Sequence, residues 1–400
     1  MPATESELVS LFKSTRGPIR PVGSGHSFTA LVPTDGYLMV LDRMNGLISH
    51  DPSAMTAEFW AGTRLSDAGP LLDGVGQAMP NLSDIDRQTL AGAVATSTHG
   101  TGKGLKSLSG CVTSMTLVTP NGEISEIDAG SGDLFDAARV SLGSFGVVTR
   151  IGFANRAPFN LRNRTWVQDT ESVIEDFDSL AGEWQHFEMM PLLHSDYSLV
   201  IAHKETTDPV GEPAPEGDDS ELLALIDATP VMLRGTMINL LAKTIDPTED
   251  VQKSFRGLTH LRFDRFNEME YSVPVDAGPH CLREILATVK EKGVDVTIPL
   301  EYRIIGGDDT WLSMFSGGPR VSISVHRMAK YDYKPYFNLI EPIFWKYGGR
   351  PHWGKVHTLG YKQLKALYPR FDDFIAIRNS LDPEGRMLNG YLRGLFGINV

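Results

Sequence analysis

The chain is poor in cysteine, has no long apolar run and is short of basic charge. Cys111 and Cys281 are the only two cysteines in 400 residues. That is too few for a disulfide framework or a four-thiolate zinc centre. No apolar stretch approaches the roughly 18 residues of a membrane-spanning helix, and the opening MPATESELVSLFKSTRGP has no apolar leader. The expectation is a cytoplasmic protein without an integral-membrane segment. Lys and Arg total 37 against 50 Asp and Glu, for a net charge of −13. Sequence-independent nucleic-acid binding needs a basic footprint, so no nucleic-acid partner is expected. Glycine is plentiful, with 39 residues, and 41% of the chain is hydrophobic. The length suits two or three globular domains.

Periodicity predicts helices over Glu5–Thr15, Arg64–Val75, Asp133–Val140, Gly278–Lys292, Lys334–Lys346, Gln363–Leu367 and Phe371–Leu381. Alternation predicts strands at Tyr37–Leu41, Ala57–Ala61, Val112–Val118, Glu123–Ile127, Met269–Val273, Leu300–Ile305 and Val321–His326. Pro120-Asn121-Gly122 reads as the turn of a hairpin. Glu205–Ser220 is rich in Pro, Gly and acid and reads as a loop. Glu221–Ala242 reads as an apolar amphipathic helix interrupted near Pro230. Arg234 and Lys243 are too few cations for a membrane-surface helix, so packing is expected.

Two glycine-rich segments carry the first chemical signal. In Arg20-Pro21-Val22-Gly23-Ser24-Gly25-His26-Ser27-Phe28, two glycines follow a short apolar segment. Glycine there lets backbone N–H groups converge into a nest for phosphate oxygens. The third glycine of the dinucleotide fingerprint is missing, so a Rossmann NAD site is a weak reading, and an ordinary Gly-X-Gly turn is the alternative. In Leu90–Gly102, eleven of thirteen residues are Gly, Ala, Ser, Thr or Val. That composition suits either a wrap around a large polar ligand or a tightly packed strand and turn. Together the two segments point to a diphosphate held between loops. On the candidate substrate side, Glu301 and Arg303 lie two apart on one strand and share a face, as do Ser322, Ser324 and His326. A simple Glu–Arg pair is the alternative there.

These residues resemble a known family. Gly-Ser-Gly-His-Ser-Phe, Thr-Ser-Thr-His-Gly-Thr-Gly and Gly-Ser-Phe-Gly-Val-Val-Thr (143–149) resemble the FAD domain of vanillyl-alcohol-oxidase-type flavoproteins. Within it they resemble the aldonolactone oxidase and alditol oxidase branch. Met269–Pro274, Glu301-Tyr302-Arg303, Asp308–Ser313, Pro351-His352-Trp353-Gly354-Lys355 and Asp382–Leu392 extend the resemblance, which is weak over 158–260.

The resemblance implies an α+β protein. A bipartite FAD-binding domain of two α+β subdomains (1–157) would be followed by an α+β substrate or cap domain with an antiparallel sheet (158–357). A C-terminal segment (358–400) would return to the FAD domain. Relatives carry a further strand before Glu5, so this chain is expected to begin inside that region. FAD would be attached covalently to His26. Gly23, Ser24, Gly25 and Ser27 would contact its pyrophosphate. Ser83, Gly92, Thr96, Thr98, Gly100, Thr101 and Gly102 would line the diphosphate and isoalloxazine, with His99 beside them, and Val147 and Val148 would face the adenine or ribose end. Over the flavin, the resemblance places Glu301, Arg303, His326 and Lys355 as catalytic residues. No metal is expected. Arg303 or Lys355 would balance charge developing near flavin N1. Glu301 would bind sugar hydroxyls, and His326 would be the general base. The implied activity is oxidation of an aldono-1,4-lactone or alditol-like polyol, with hydride passing to flavin N5 and O2 returning as H2O2. A dehydrogenase using another acceptor is the alternative. A nucleotide-binding protein without redox activity, or a membrane-associated scaffold, is the reading from another class.

Overall fold

The computed structural model describes residues 1–214, 219–259 and 265–398. Their architecture is α+β. Leu47–Asp51, Thr56–Trp60, Val147–Ala154, Val112–Val118 and Ile124–Asp128 form a five-stranded antiparallel sheet in that spatial order. Its predicted hairpin closes at Pro120-Asn121-Gly122. There the Asn121 side chain accepts the Glu123 N–H at 3.1 Å and Gly122 takes φ +85°. Ile19–Val22 and Tyr37–Val40 pair in parallel beside it.

The second sheet has eight strands. Their order is Thr248–Lys253, Asn160–Asp169, Tyr197–Thr206, His186–Pro191, Glu301–Ile305, Arg320–Met328, Phe266–Pro274 and Arg350–Pro351, all antiparallel. Its central strands alternate strictly. One face carries Phe187, Met189, Tyr302, Ile304, Val321, Ile323, Val325, Met269, Tyr271 and Val273, all essentially inaccessible. These residues pack on the helices Thr170–Glu183, Gly278–Glu291 and Lys334–Lys346. Phe177 meets Phe187 and Tyr302 edge-on at 5.3 and 4.7 Å, and Tyr271 stacks on Phe344 at 4.9 Å. Fully burying each such side chain contributes roughly 1.5–3 kcal/mol. The opposite face is polar and also buried, which is where the chemistry lies.

Two local readings resolve against the sequence. Leu90–Ala95 is neither strand nor turn. It forms a short helix started by Thr89, whose hydroxyl accepts the Gly92 N–H. The apolar stretch near Pro230 is two helices, Asp219–Ala228 and Val231–Ala242, with Pro230 at the second N-cap. Its Arg234 is buried, bonding Asp295 at 2.6 Å and carbonyls of Ile226, Asp227 and Thr229. That position suits packing rather than a lipid surface. Within the predicted Glu205–Ser220 loop, residues 207–214 form no helix or strand, and 215–218 lie outside the described residues. No described helix is long and apolar enough to cross a membrane.

The C-terminal segment returns to the first strand. Arg20 is 1% exposed, and its guanidinium donates to the carbonyls of Leu31, Leu142, Gly143 and Met387. The Ile19 N–H donates to Arg386 O at 2.7 Å, and the Asn389 amide donates to Ala30 O and Pro33 O, both at 2.8 Å.

Candidate active site

The first half of the site is a cavity of about 300 Å³ lined by Arg20 through Ser27, by Gln88, Thr89, Gly92 and Thr96, and by Gly143 and Gly146–Val148. Glycine is required here. A Cβ on Gly23 would lie 2.2 Å from Thr89 Oγ1, and Gly25 sits at φ +73°. Among the described residues, the N–H groups of Ser24, Gly25, His26 and Ser27 donate to nothing in the chain. Four successive unsatisfied donors on a glycine turn are the donor set a phosphate takes. The imidazole of His26 is exposed. Neighbouring atoms, and then Lys355, Arg64 and Arg87, hold its pKa below the usual range, so it is neutral and nucleophilic near pH 7. These features fit a bound FAD.

The second half is the polar face of the eight-stranded sheet. Register places Glu188 beside Arg303, Glu301 and Glu270 on either side of Ser324, and Glu268 opposite His326. Arg303 bonds Glu301 at 2.9 Å and lies 3.9 Å from Glu270 and Glu188. Burial opposes its charge, but Glu301, Glu270, Glu188 and Asp84 outweigh burial and raise its pKa. The Lys355 ammonium bonds Glu268. Burial also opposes ionisation of Glu268 and Glu270. Lys355 and then His326 overrule it at Glu268, and His99, His352 and Arg303 at Glu270, so both carboxyls titrate far below the usual range.

Hydrogen-bond accounting fixes the protons. His99 faces Gly100 O at 2.8 Å through Nδ1 and Glu270 at 2.6 Å through Nε2. Held at both nitrogens, the ring is fixed in orientation against Glu270. His352 Nδ1 accepts the Gly354 N–H at 3.0 Å, and burial drives its pKa down to about 3, leaving it neutral with hydrogen on Nε2. In the grouping His99–Glu270–His352, whose ligand atoms lie within 4.8 Å of one another, His99 Nε2 and Glu270 bond each other and His352 Nδ1 bonds the Gly354 N–H. His326 Nδ1 lies 3.0 Å from Pro299 O, leaving Nε2 to face Glu268 and Glu301 at 3.7 and 4.0 Å.

The two halves meet directly. The Phe28 N–H donates to Gly354 O at 2.7 Å, Thr29 Oγ1 donates to Trp353 O at 3.0 Å, and Lys355 Nζ sits 5.2 Å over the Phe28 ring. Of the residues expected at the cofactor, Gly23, Ser24, Gly25, His26, Ser27, Gly92, Thr96, Val147 and Val148 line the cavity. Thr98 lies 3.4 Å from Thr96, just beyond the lining. His99, Gly100, Thr101 and Gly102 lie under the sheet instead. Thr101 donates to Phe187 O at 2.7 Å, and the Gly102 N–H donates to Ile304 O at 2.7 Å. Ser83 bonds Ile85 O beside Asp84, on the Arg303 side. Glu301, Arg303, His326 and Lys355 converge. Sequence reasoning missed Glu188, Glu268, Glu270 and His352 as members of the cluster. The Glu268-x-Glu270-x-Ser272 alternation was the available signal.

A glycine nest beside a charge-dense antiparallel sheet fits a flavoprotein oxidoreductase. Comparisons with known proteins agree. A family model described as FAD binding domain matches residues 1–128, and one described as D-arabinono-1,4-lactone oxidase matches residues 151–395. The chain belongs to the D-arabinono-1,4-lactone oxidase family, in the aldonolactone oxidase and alditol oxidase branch of FAD-dependent oxidoreductases acting on CH–OH groups. It is 32% identical to an L-gulono-1,4-lactone dehydrogenase of Mycobacterium tuberculosis, over 99% of this chain and 95% of the relative. It is 29% identical to an L-gulonolactone oxidase of Bos taurus (98% and 92%) and 27% identical to an alditol oxidase of a Streptomyces species (98% and 94%). A crystal structure of cholesterol oxidase from Brevibacterium sterolicum superposes with a TM-score of 0.79 at 16% identity, over 99% of this chain and 93% of that one. That likeness establishes the vanillyl-alcohol-oxidase-type fold.

Proposed function

We propose that the chain oxidises one CH–OH group of a sugar lactone or an alditol, using FAD attached to His26 and returning electrons to O2 as H2O2. The observation carrying this reading is the packing of the His26–Thr29 loop against Trp353–Lys355. It brings the glycine turn next to the half-buried Lys355 ammonium at the edge of the acceptor-rich sheet face. In this reading residues 1–157 hold the cofactor, 158–357 cover it and 358–400 latch it.

FAD, when bound, accepts the hydride that leaves the carbinol carbon. His326 Nε2 takes the hydroxyl proton, and Glu268 and Glu301 beside it stabilise the resulting imidazolium. Arg303 and Lys355 hold positive charge, without solvent reorganisation, where anionic character grows. Glu301 accepts hydrogen bonds from sugar hydroxyls. The relatives' names include lactones and alditols, and both oxidases and a dehydrogenase.

The test is the purified protein's visible absorbance, native and after acid precipitation, with oxygen uptake on L-gulono-1,4-lactone and xylitol. Yellow colour that survives precipitation, is lost from the pellet in His26→Ala, and bleaches on substrate is expected. Colour that washes out of the wild-type pellet overturns the covalent link. Bleaching without oxygen uptake reassigns the acceptor.

A further inference from the structure

Nearly every polar group on the buried sheet face has a partner in the chain. Ser322 Oγ donates to Glu270, and Ser272 Oγ donates to Ser322 at 3.4 Å. Arg303 is held by Glu301, and Lys355 by Glu268. Ser324 is an exception, as are Arg303 Nε and His186 Nε2, and of the three only Ser324 has no other polar atom through which its side chain bonds the chain. Its hydroxyl is 1% exposed and has no hydrogen-bond partner among the described residues. Register puts it at the middle of the face, directly across from Glu301 on one strand and Glu270 on the other, with His326 two residues further along its own strand. A buried hydroxyl left without a partner is destabilising, because its lost hydration is not replaced. An alanine would occupy the same place without that penalty. The hydroxyl is thus a buried donor and acceptor with its capacity unused by the chain.

We infer that Ser324 Oγ is a specificity-determining contact for one substrate hydroxyl other than the one oxidised. The flanking groups say what that ligand offers. Glu268 Oε1 and Glu301 Oε1 lie 3.7 and 4.0 Å from His326 Nε2, two acceptors and a proton carrier on the same face as Ser324. A vicinal diol satisfies such a set, one hydroxyl bridging to a carboxylate and its neighbour meeting Ser324. The inference rests on the sugar-alcohol reading above and names the group by which this site tells a polyol from a less hydroxylated alcohol.

The experiment compares the wild-type holoenzyme with Ser324→Ala on xylitol, on L-gulono-1,4-lactone and on analogues of each lacking one hydroxyl in turn. For the variant, kcat/KM on a parent substrate should fall by about tenfold. The loss should vanish for the one analogue lacking the hydroxyl that Ser324 binds. Flavin content should be unchanged and the melting temperature equal or higher, because the removed hydroxyl bonds nothing in the chain. An equal loss on every analogue, no loss on the parents, or a lowered melting temperature overturns the assignment. Wild-type enzyme that turns over neither parent overturns the sugar-alcohol reading, and this inference falls with it. Wild-type turnover with an unchanged discrimination ratio in Ser324→Ala overturns the inference alone.

Discussion

The cofactor cavity and the sheet face above it recognise their ligands by opposite means. The cavity is built from backbone: glycines, small hydroxyl residues and free N–H groups, with Arg20 turned to carbonyls instead of outward to the cavity. The sheet face is built from side chains, with the buried Glu188, Glu268, Glu270 and Glu301 set against buried Arg303 and His99 and the partly exposed Lys355. A backbone cradle tolerates changes of charge but not of volume. A buried charge network tolerates neither, because removing one partner strands another without solvent.

That contrast is open to direct attack, and the largest effect is expected from acid. His186 and His357 are lowered to about 4, and His352 to about 3, all by burial. The unfolded chain binds these protons near pH 6.5 while the folded chain refuses them, so stability falls as pH drops from about 6.5 toward 3–4. Glu268 and Glu270, depressed below 4.5, lose their contribution in the same direction as pH falls further. Each histidine carries on the order of 3–5 kcal/mol of this loss. A denaturant midpoint that stays flat from pH 7 to 4 would contradict this. Next comes Arg303→Met, expected to slow flavin bleaching by about 10²–10³-fold in stopped-flow absorbance. Flavin content should be little altered, because the cavity is not built from charge. Gly23→Ala is the converse. It overpacks Thr89 Oγ1, destabilises by about 1–3 kcal/mol, and lowers the flavin-to-protein ratio while leaving the sheet face intact. The smallest effect belongs to Arg162→Ala, which breaks the exposed pairs with Asp208 and Glu249 at the sheet edge. No measurable shift in melting temperature is expected.

The backbone-built half was the more legible one. Gly23 and Gly25 announce positive φ and close approach by residue type alone, and the small-residue run from Leu90 marks the facing wall. Even there the composition concealed a helix, because Thr89 capping, not propensity, starts Leu90–Ala95. On the sheet, two-residue spacing was enough to put Glu301 with Arg303 and Ser322 with Ser324 and His326 on common faces. It could not reveal Glu268 and Glu270 as members. An alternating strand with acids on one side ordinarily turns that side to water. Here residues 99–108, from the other half of the molecule, cover it instead, a pairing at a sequence distance of about 170 residues. His352 was hidden for the same reason, since its burial comes from neighbours remote in the chain.

The latch between Ile19–Arg20 and Arg386–Asn389 bears on when, during the life of the polypeptide, the glycine turn is braced. The floor of the cradle is made early in synthesis, but its supports from Met387 and Asn389 follow more than 350 residues later. Nascent chains ending before residue 386 present the loop of Ser24 to Ser27 without its brace. The strand leading into the glycine turn thus gains its full set of hydrogen bonds only after residues 386–389 have been made.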